Sequence, residues 1–157
     1  MDRIIGIGEY ALTDKKGERI KTYALSSCVA ITLYCPGKKA AAMVHIALPN
    51  HLRGTDEKHA APGYYADTAV PFLIDKMSRE FGCSMASIEV KLFGGSDSVS
   101  KNDCFNIGKR NLEAITGILD GYCMPYDMSE TGGSFSRTVE IEVDTGRIKL
   151  NKNPICF

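Results

Sequence analysis

Two residues on neighbouring apolar runs stand out in "ALSSCVAITLYCPGKKAAAMVHIALP", residues 24–49: Cys28 opens the first run and His45 falls near the end of the second. A free thiol is mostly protonated at neutral pH, and a neighbouring imidazole can take its proton and hold the thiolate as an ion pair, which makes a nucleophile. The spacing allows that meeting. The segment "CPGKK" punctuates the two runs as a hairpin loop. With a two-residue loop at Pro36-Gly37, opposed residues have numbers summing to 73, and 28 and 45 satisfy this. A loop running from Pro36 through Lys39 shifts the pairing by two and leaves both side chains on one face as diagonal neighbours; an odd-length loop separates them. The competing reading is that Cys28 is a small core residue and His45 a satisfied buried histidine.

Ser26 and Ser27, just upstream, bring polar groups and flexible backbone to the point where the strand begins, where backbone N–H groups could cradle an oxyanion. A third group should orient the imidazole. Thr22 lies six residues before Cys28 and shares its face if the strand is uninterrupted; a break in register at Ser26-Ser27 removes that relation. Asp67 and Glu9 serve equally well on sequence physics alone. His45, His51, His59 and Cys35 have no usual zinc spacing, so no metal or other cofactor is expected. "FGGSDS" lacks the ending of a phosphate loop and reads as a tight turn approaching other backbone. Lys109 and Arg110 read as a helix surface, and "ETGGSFSR" as a pocket rim or a turn.

The elements that must position these residues follow from periodicity. "RIIGIGEYAL" reads as a first strand and "RIKTYALSS" as a second, joined by the polar turn "TDKKGE". "CVAITLY" and "KAAAMVHIAL" form the hairpin, and "PNHLRGTDEKHAAPG" is an exposed loop. From Asp67, which would cap it, Val70, Ile74, Met77 and Phe81 share one helical face up to the stop at Gly82. "SIEVKLF" is a strand. "FNIGKRNLEAITGILDG" is a helix capped by Asn106, with Leu112, Ile115 and Leu119 inward. "SRTVEIEVDTGRIKL" closes as a hairpin about Asp144-Thr145-Gly146. Adjacent hairpins with interspersed helices give an α+β class with a mixed or mostly antiparallel sheet.

The chain has 157 residues, enough for one ordinary domain, with 19 basic and 19 acidic residues mixed along it. That balance leaves no electrostatic footprint for nucleic acid or an anionic membrane. No long apolar segment suggests a signal peptide or membrane insertion, so a cytoplasmic protein is expected. The six cysteines form no CxxC pair and read as reduced thiols, with all but Cys28 filling core.

The segments "IGIGEYAL", "ALSSCVAITLY", "AAMVHIALP", "YYADTAVPFLI", "KLFGGSDS", "FNIGKRN" and "ETGGSFSRTVEIEVDTGRI" occur in an order that resembles the CheD family, the chemoreceptor glutamine deamidases of bacterial and archaeal chemotaxis. The resemblance runs over nearly the whole chain and implies one deamidase domain over residues 1–157. It implies a fold similar to the cysteine hydrolase domain of cytotoxic necrotizing factor toxins, a sandwich of mixed or antiparallel β-sheets flanked by helices. It implies Cys28 as nucleophile, His45 as base and Thr22 as the third member, with receptor cytoplasmic helical domains as substrate, presented to an open groove. Two features depart from the family pattern. Ser26 stands where the family has glycine, and Ser98-Val99 stand near the family's apolar Met-Phe pair, which is implicated in docking a CheC phosphatase; that argues against a CheC-like partner. The alternative in another class is a non-catalytic binding regulator of receptors or of such a phosphatase.

Overall fold

The structure is a computed structural model, and it describes residues 1–51, 61–97 and 105–155. Among these residues, nine strands and two helices form three layers. A four-stranded sheet packs on a five-stranded sheet, and both helices cover the far face of the latter. The sandwich of mixed sheets that the family resemblance implies is present, with helices on one side only.

The first run divides into two strands, β1 (Asp2–Ile5) and β2 (Tyr10–Thr13), which lie in different sheets. The cause is a reversal at Gly6 to Glu9, where the Glu9 carboxylate accepts the Gly6 N–H at 2.6 Å. The strand expected over "RIKTYALSS" is β3 (Arg19–Leu25), which runs parallel to β1. "TDKKGE" therefore crosses between sheets instead of closing a hairpin. Glu18 pins that crossing: its carboxylate accepts from Arg3 of β1 at 2.9 Å and from the Thr13 hydroxyl of β2 at 2.6 Å. Those bonds, Arg3 foremost, hold its carboxyl below the usual carboxylate range.

The hairpin β4 (Val29–Cys35) and β5 (Ala40–Ile46) occupies the middle of the five-stranded sheet, and every residue in both strands is buried. Both faces are covered, which explains why these sequences are continuously apolar and not alternating. Odd positions of β4 (Val29, Ile31, Leu33) face the helices; even ones (Ala30, Tyr34) face the other sheet, where Ile20, Leu25, Val139 and Ile141 meet them.

Helix α1 (Ala66–Phe81) carries the expected apolar face and ends at Gly82, whose left-handed φ of 68° lets its N–H reach back to the helix carbonyls. Its N-cap position is Tyr65, not Asp67; the Asp67 carboxylate lies in the first turn and accepts the His51 N–H at 3.1 Å. After it come a short 3-10 turn and β6 (Glu89–Gly94). Helix α2 (Ile107–Gly121) does follow Asn106, but that residue is left-handed and makes no side-chain cap bond. A strand not anticipated, β7 (Tyr126–Thr131), pairs parallel to β6 at the sheet edge, and β8 (Phe135–Glu142) with β9 (Ile148–Pro154) forms the closing hairpin.

Of the cysteines expected to fill core, Cys35 and Cys83 are buried, but Cys123 is exposed on the turn after α2; Cys104 and Cys156 lie outside the described residues. His59 and Ser98-Val99 also lie outside them. No helix among the described residues is long and apolar enough to cross a membrane.

Glu18→Ala removes the shared acceptor of Arg3 and the buried Thr13 hydroxyl, and should lower stability by about 2 kcal/mol. Urea unfolding measures this directly, and an unchanged midpoint would show that the crossing does not depend on Glu18.

Candidate active site

The β4–β5 loop spans Pro36 to Lys39, so Ala30, not Cys28, lies opposite His45. Cys28 precedes β4 and sits diagonally across from His45, a separation of roughly 7 Å for such positions. In the ladder His45 alternates with Met43 and Ala41, which belong to the layer between the sheets, and Cys28 packs against the same layer. Nucleophile and base candidates thus share one side of the hairpin.

Thr22 reaches His45 from the other sheet. Its hydroxyl donates to the Ile5 carbonyl at 2.9 Å and lies 2.7 Å from His45 Nδ1. A hydroxyl has one proton, and here the Ile5 carbonyl takes it, so Nδ1 must be the donor in the second bond. Nδ1 therefore carries the ring hydrogen, and Nε2 presents a lone pair. That lone pair is buried and has no hydrogen-bond partner among the described residues. A core histidine with a purely structural role satisfies both nitrogens; leaving one bare costs on the order of 1–3 kcal/mol.

The local backbone explains how Thr22 gets there. Between Thr22 and Leu25 the β3–β8 register shifts, and Ala24 takes a left-handed φ of 57°. The bulge lets both Thr22 and Leu25, three residues apart, point inward with no exposure. It also cancels the uninterrupted-strand relation between Thr22 and Cys28. Glu9 and Asp67 do not orient the ring: the Glu9 carboxylate binds Gly6, its carbonyl accepts the His45 N–H at 3.1 Å, and Asp67 binds His51.

His45 is 2% exposed, and burial pushes its pKa down to about 4. Burial likewise pushes the Cys28 thiol up. Both shifts have the same cause, burial, and both favour the uncharged form of the group at neutral pH.

The loop before β4 is fixed through its carbonyls. Ser26 is exposed and Ser27 half-buried. The Ser96 N–H donates to Ser26 at 2.8 Å, Asn111 Nδ2 to Ser27 at 2.9 Å, and the Gly95 N–H to Cys28 at 2.9 Å. Gly94 permits the last contact, since a Cβ there would run into the Cys28 carbonyl oxygen. The double glycine is thus the tight backbone approach expected of it. The buried Arg137 guanidinium holds this segment from behind through Ser96 Oγ at 3.2 Å and Gly132 O at 2.9 Å. Asn111 and Arg137 were not anticipated as site residues. Asn111 had a signal: it is a polar residue on the inward stripe of α2 with Ile115 and Leu119.

The model of the family described as CheD chemotactic sensory transduction matches residues 47–152. A protein named probable chemoreceptor glutamine deamidase CheD from Syntrophotalea carbinolica is 44% identical over 152 residues, covering 96% of this chain and 93% of its own. The chemoreceptor glutamine deamidase CheD of Thermotoga maritima is 38% identical, with 97% and 92% covered. Among solved structures, the hypothetical protein YfiH of Bacillus licheniformis aligns at TM-score 0.46 and 12% identity over 80% of this chain and 49% of that one. On the family match and on relatives that span nearly its full length, this chain belongs to the CheD family.

Proposed function

We propose that the protein is a cysteine-dependent glutamine deamidase acting from the cytoplasm on the helical cytoplasmic domains of chemoreceptors, with Cys28, His45 and Thr22 as its catalytic residues. One observation carries the reading: a buried His45 ring whose tautomer Thr22 fixes, on the side of the hairpin that holds Cys28, with Nε2 unpartnered among the described residues. The relatives' names supply the substrate class.

Because thiol and imidazole rest neutral, proton transfer accompanies attack and does not precede it. Cys28 Sγ adds to the carboxamide carbon of a glutamine side chain as His45 Nε2 takes the thiol proton. The carbonyl π electrons move to oxygen, and backbone N–H groups at the Ser26-Ser27-Cys28 turn stabilise the oxyanion. Collapse of the adduct breaks the C–N bond, the imidazolium gives its proton to the leaving nitrogen, and ammonia departs. A thioester remains. Water attacks it as His45 takes one water proton, and expulsion of sulfur with return of that proton regenerates the thiol and leaves glutamate. Throughout, Thr22 accepts from Nδ1 and keeps the ring from turning over. A groove lined by Leu48, Pro49, Asn50, Phe105, Ile107 and Arg110 lies next to Asn111 in the chain and is a surface that the receptor helix could contact.

Peptide mass spectrometry of a receptor cytoplasmic fragment incubated with wild type and with Cys28→Ala tests the reading. Conversion of glutamine to glutamate by the wild type alone is expected. Bound receptor with no conversion by either protein would replace the enzyme with a binding regulator. Thr22→Val keeps the side-chain shape but removes the acceptor, and should lower kcat by on the order of 10²-fold with folding retained; full activity would remove Thr22 from the mechanism. The base is lost only when His45 protonates, so kcat/KM should hold its plateau through pH 6.5 and fall near pH 4. An acid limb centred at about 6.5, the value of a solvated imidazole, would contradict the buried neutral base.

A further inference from the structure

Asn111 brings one primary amide to the place where the two halves of the site meet. It is fully buried on α2, and its Nδ2 donates to Ser27 O at 2.9 Å and to Ala47 O at 3.1 Å. Ser27 immediately precedes Cys28, and Ala47 follows His45 by two residues. Two carbonyl oxygens face the same end of the amide, so that end is the NH2 group. Both of its hydrogens are used, whereas Oδ1 is buried and without a partner among the described residues. The two carbonyls dictate the orientation of the amide.

The consequence lies in the peptide that Asn111 holds. Ser27 C=O and Cys28 N–H belong to one peptide unit, and no peptide bond among the described residues is cis, so the two groups point in opposite directions. Asn111 draws the carbonyl toward α2, on the helix-covered face of the five-stranded sheet. The Cys28 N–H is thereby turned away from Asn111; His45 and Thr22 lie on the side of the sheet not covered by α2. Bonds to the Ser26 and Cys28 carbonyls on either side keep the neighbouring peptides from rotating with it.

We propose that Asn111 is a positioning residue that aims the Cys28 N–H as the oxyanion donor and, through Ala47, keeps that donor in register with His45; the inference rests on the deamidase reading. Asn111 touches no reacting atom. It acts by fixing the direction of a backbone dipole before charge develops on the substrate oxygen, which is where preorganised donors have their effect.

The test separates an oxyanion effect from a general loss of structure. Asn111→Leu is close in volume and removes both donors; Asn111→Ala is the second variant. Two rates are measured: steady-state conversion of the receptor-fragment glutamine, and alkylation by iodoacetamide read at the Cys28 peptide. Alkylation displaces iodide from a saturated carbon and builds no oxyanion, so it reports on the thiol and His45 alone. The expected result is a kcat lowered by on the order of 10²-fold, as for one lost oxyanion donor, with KM and the alkylation rate close to wild type. Parallel losses in both rates, undiminished turnover in Asn111→Leu, or failure of both variants to fold would overturn the assignment and make Asn111 a structural residue. A wild type that leaves receptor glutamines intact brings down the deamidase reading and this one together, whereas wild-type turnover matched by Asn111→Leu overturns this one alone.

Discussion

The Thr22 hydroxyl has one proton and two partners, and the chemistry of the site depends on which partner receives it. Ile5 O accepts at 2.9 Å, so His45 Nδ1 must donate at 2.7 Å, and the opposite ring nitrogen is left basic. The bond joins two sheets: Thr22 stands on β3 of one and His45 on β5 of the other. The sandwich is thus a condition for the tautomer. β1 must lie parallel to β3 to present Ile5 O, and the Ala24 bulge must turn Thr22 inward. A backbone strained at Ala24 sits where other positions would have taken a regular strand, as strained residues do when surrounding structure holds them for function.

Burial sets the second constraint. The layer that buries His45 and partly covers Cys28 removes solvation from charge on either, which favours the neutral imidazole and the neutral thiol. His45 Nε2 is a buried polar atom without a partner among the described residues, which carries a cost in stability. Fixed carbonyls around Cys28 act in the same direction: Ser26, Ser27 and Cys28 each have their carbonyl held by a different donor, leaving the loop little freedom to rearrange during reaction.

Much of this was legible in the sequence, and the misses have physical causes. The hairpin arithmetic around Cys-Pro-Gly-Lys-Lys put Cys28 and His45 on one face for either even-length loop, and the longer loop is the one formed. Thr22 was harder to place because strand periodicity assumes one continuous strand, whereas the bulge and the second sheet bring it to His45 by another route. The division of "RIIGIGEYAL" into β1 and β2 was missed because glycine relief within a strand and a reversal between strands look alike before pairing is known. β7 is an edge strand with little buried surface, so "YDMSET" shows no apolar alternation. Asn106 has the right residue type for a cap but a left-handed backbone that rules out the usual cap geometry.

Thr22 holds His45 as a neutral ring protonated on Nδ1. Long-range 1H–15N correlation of ring-labelled histidine at neutral pH, with His45 assigned by comparison to His45→Gln, reads that state directly. The expected result is the neutral Nδ1–H tautomer in the wild type and its replacement by a different state in Thr22→Val. A neutral ring protonated on Nε2, or an imidazolium at pH 7, would contradict it.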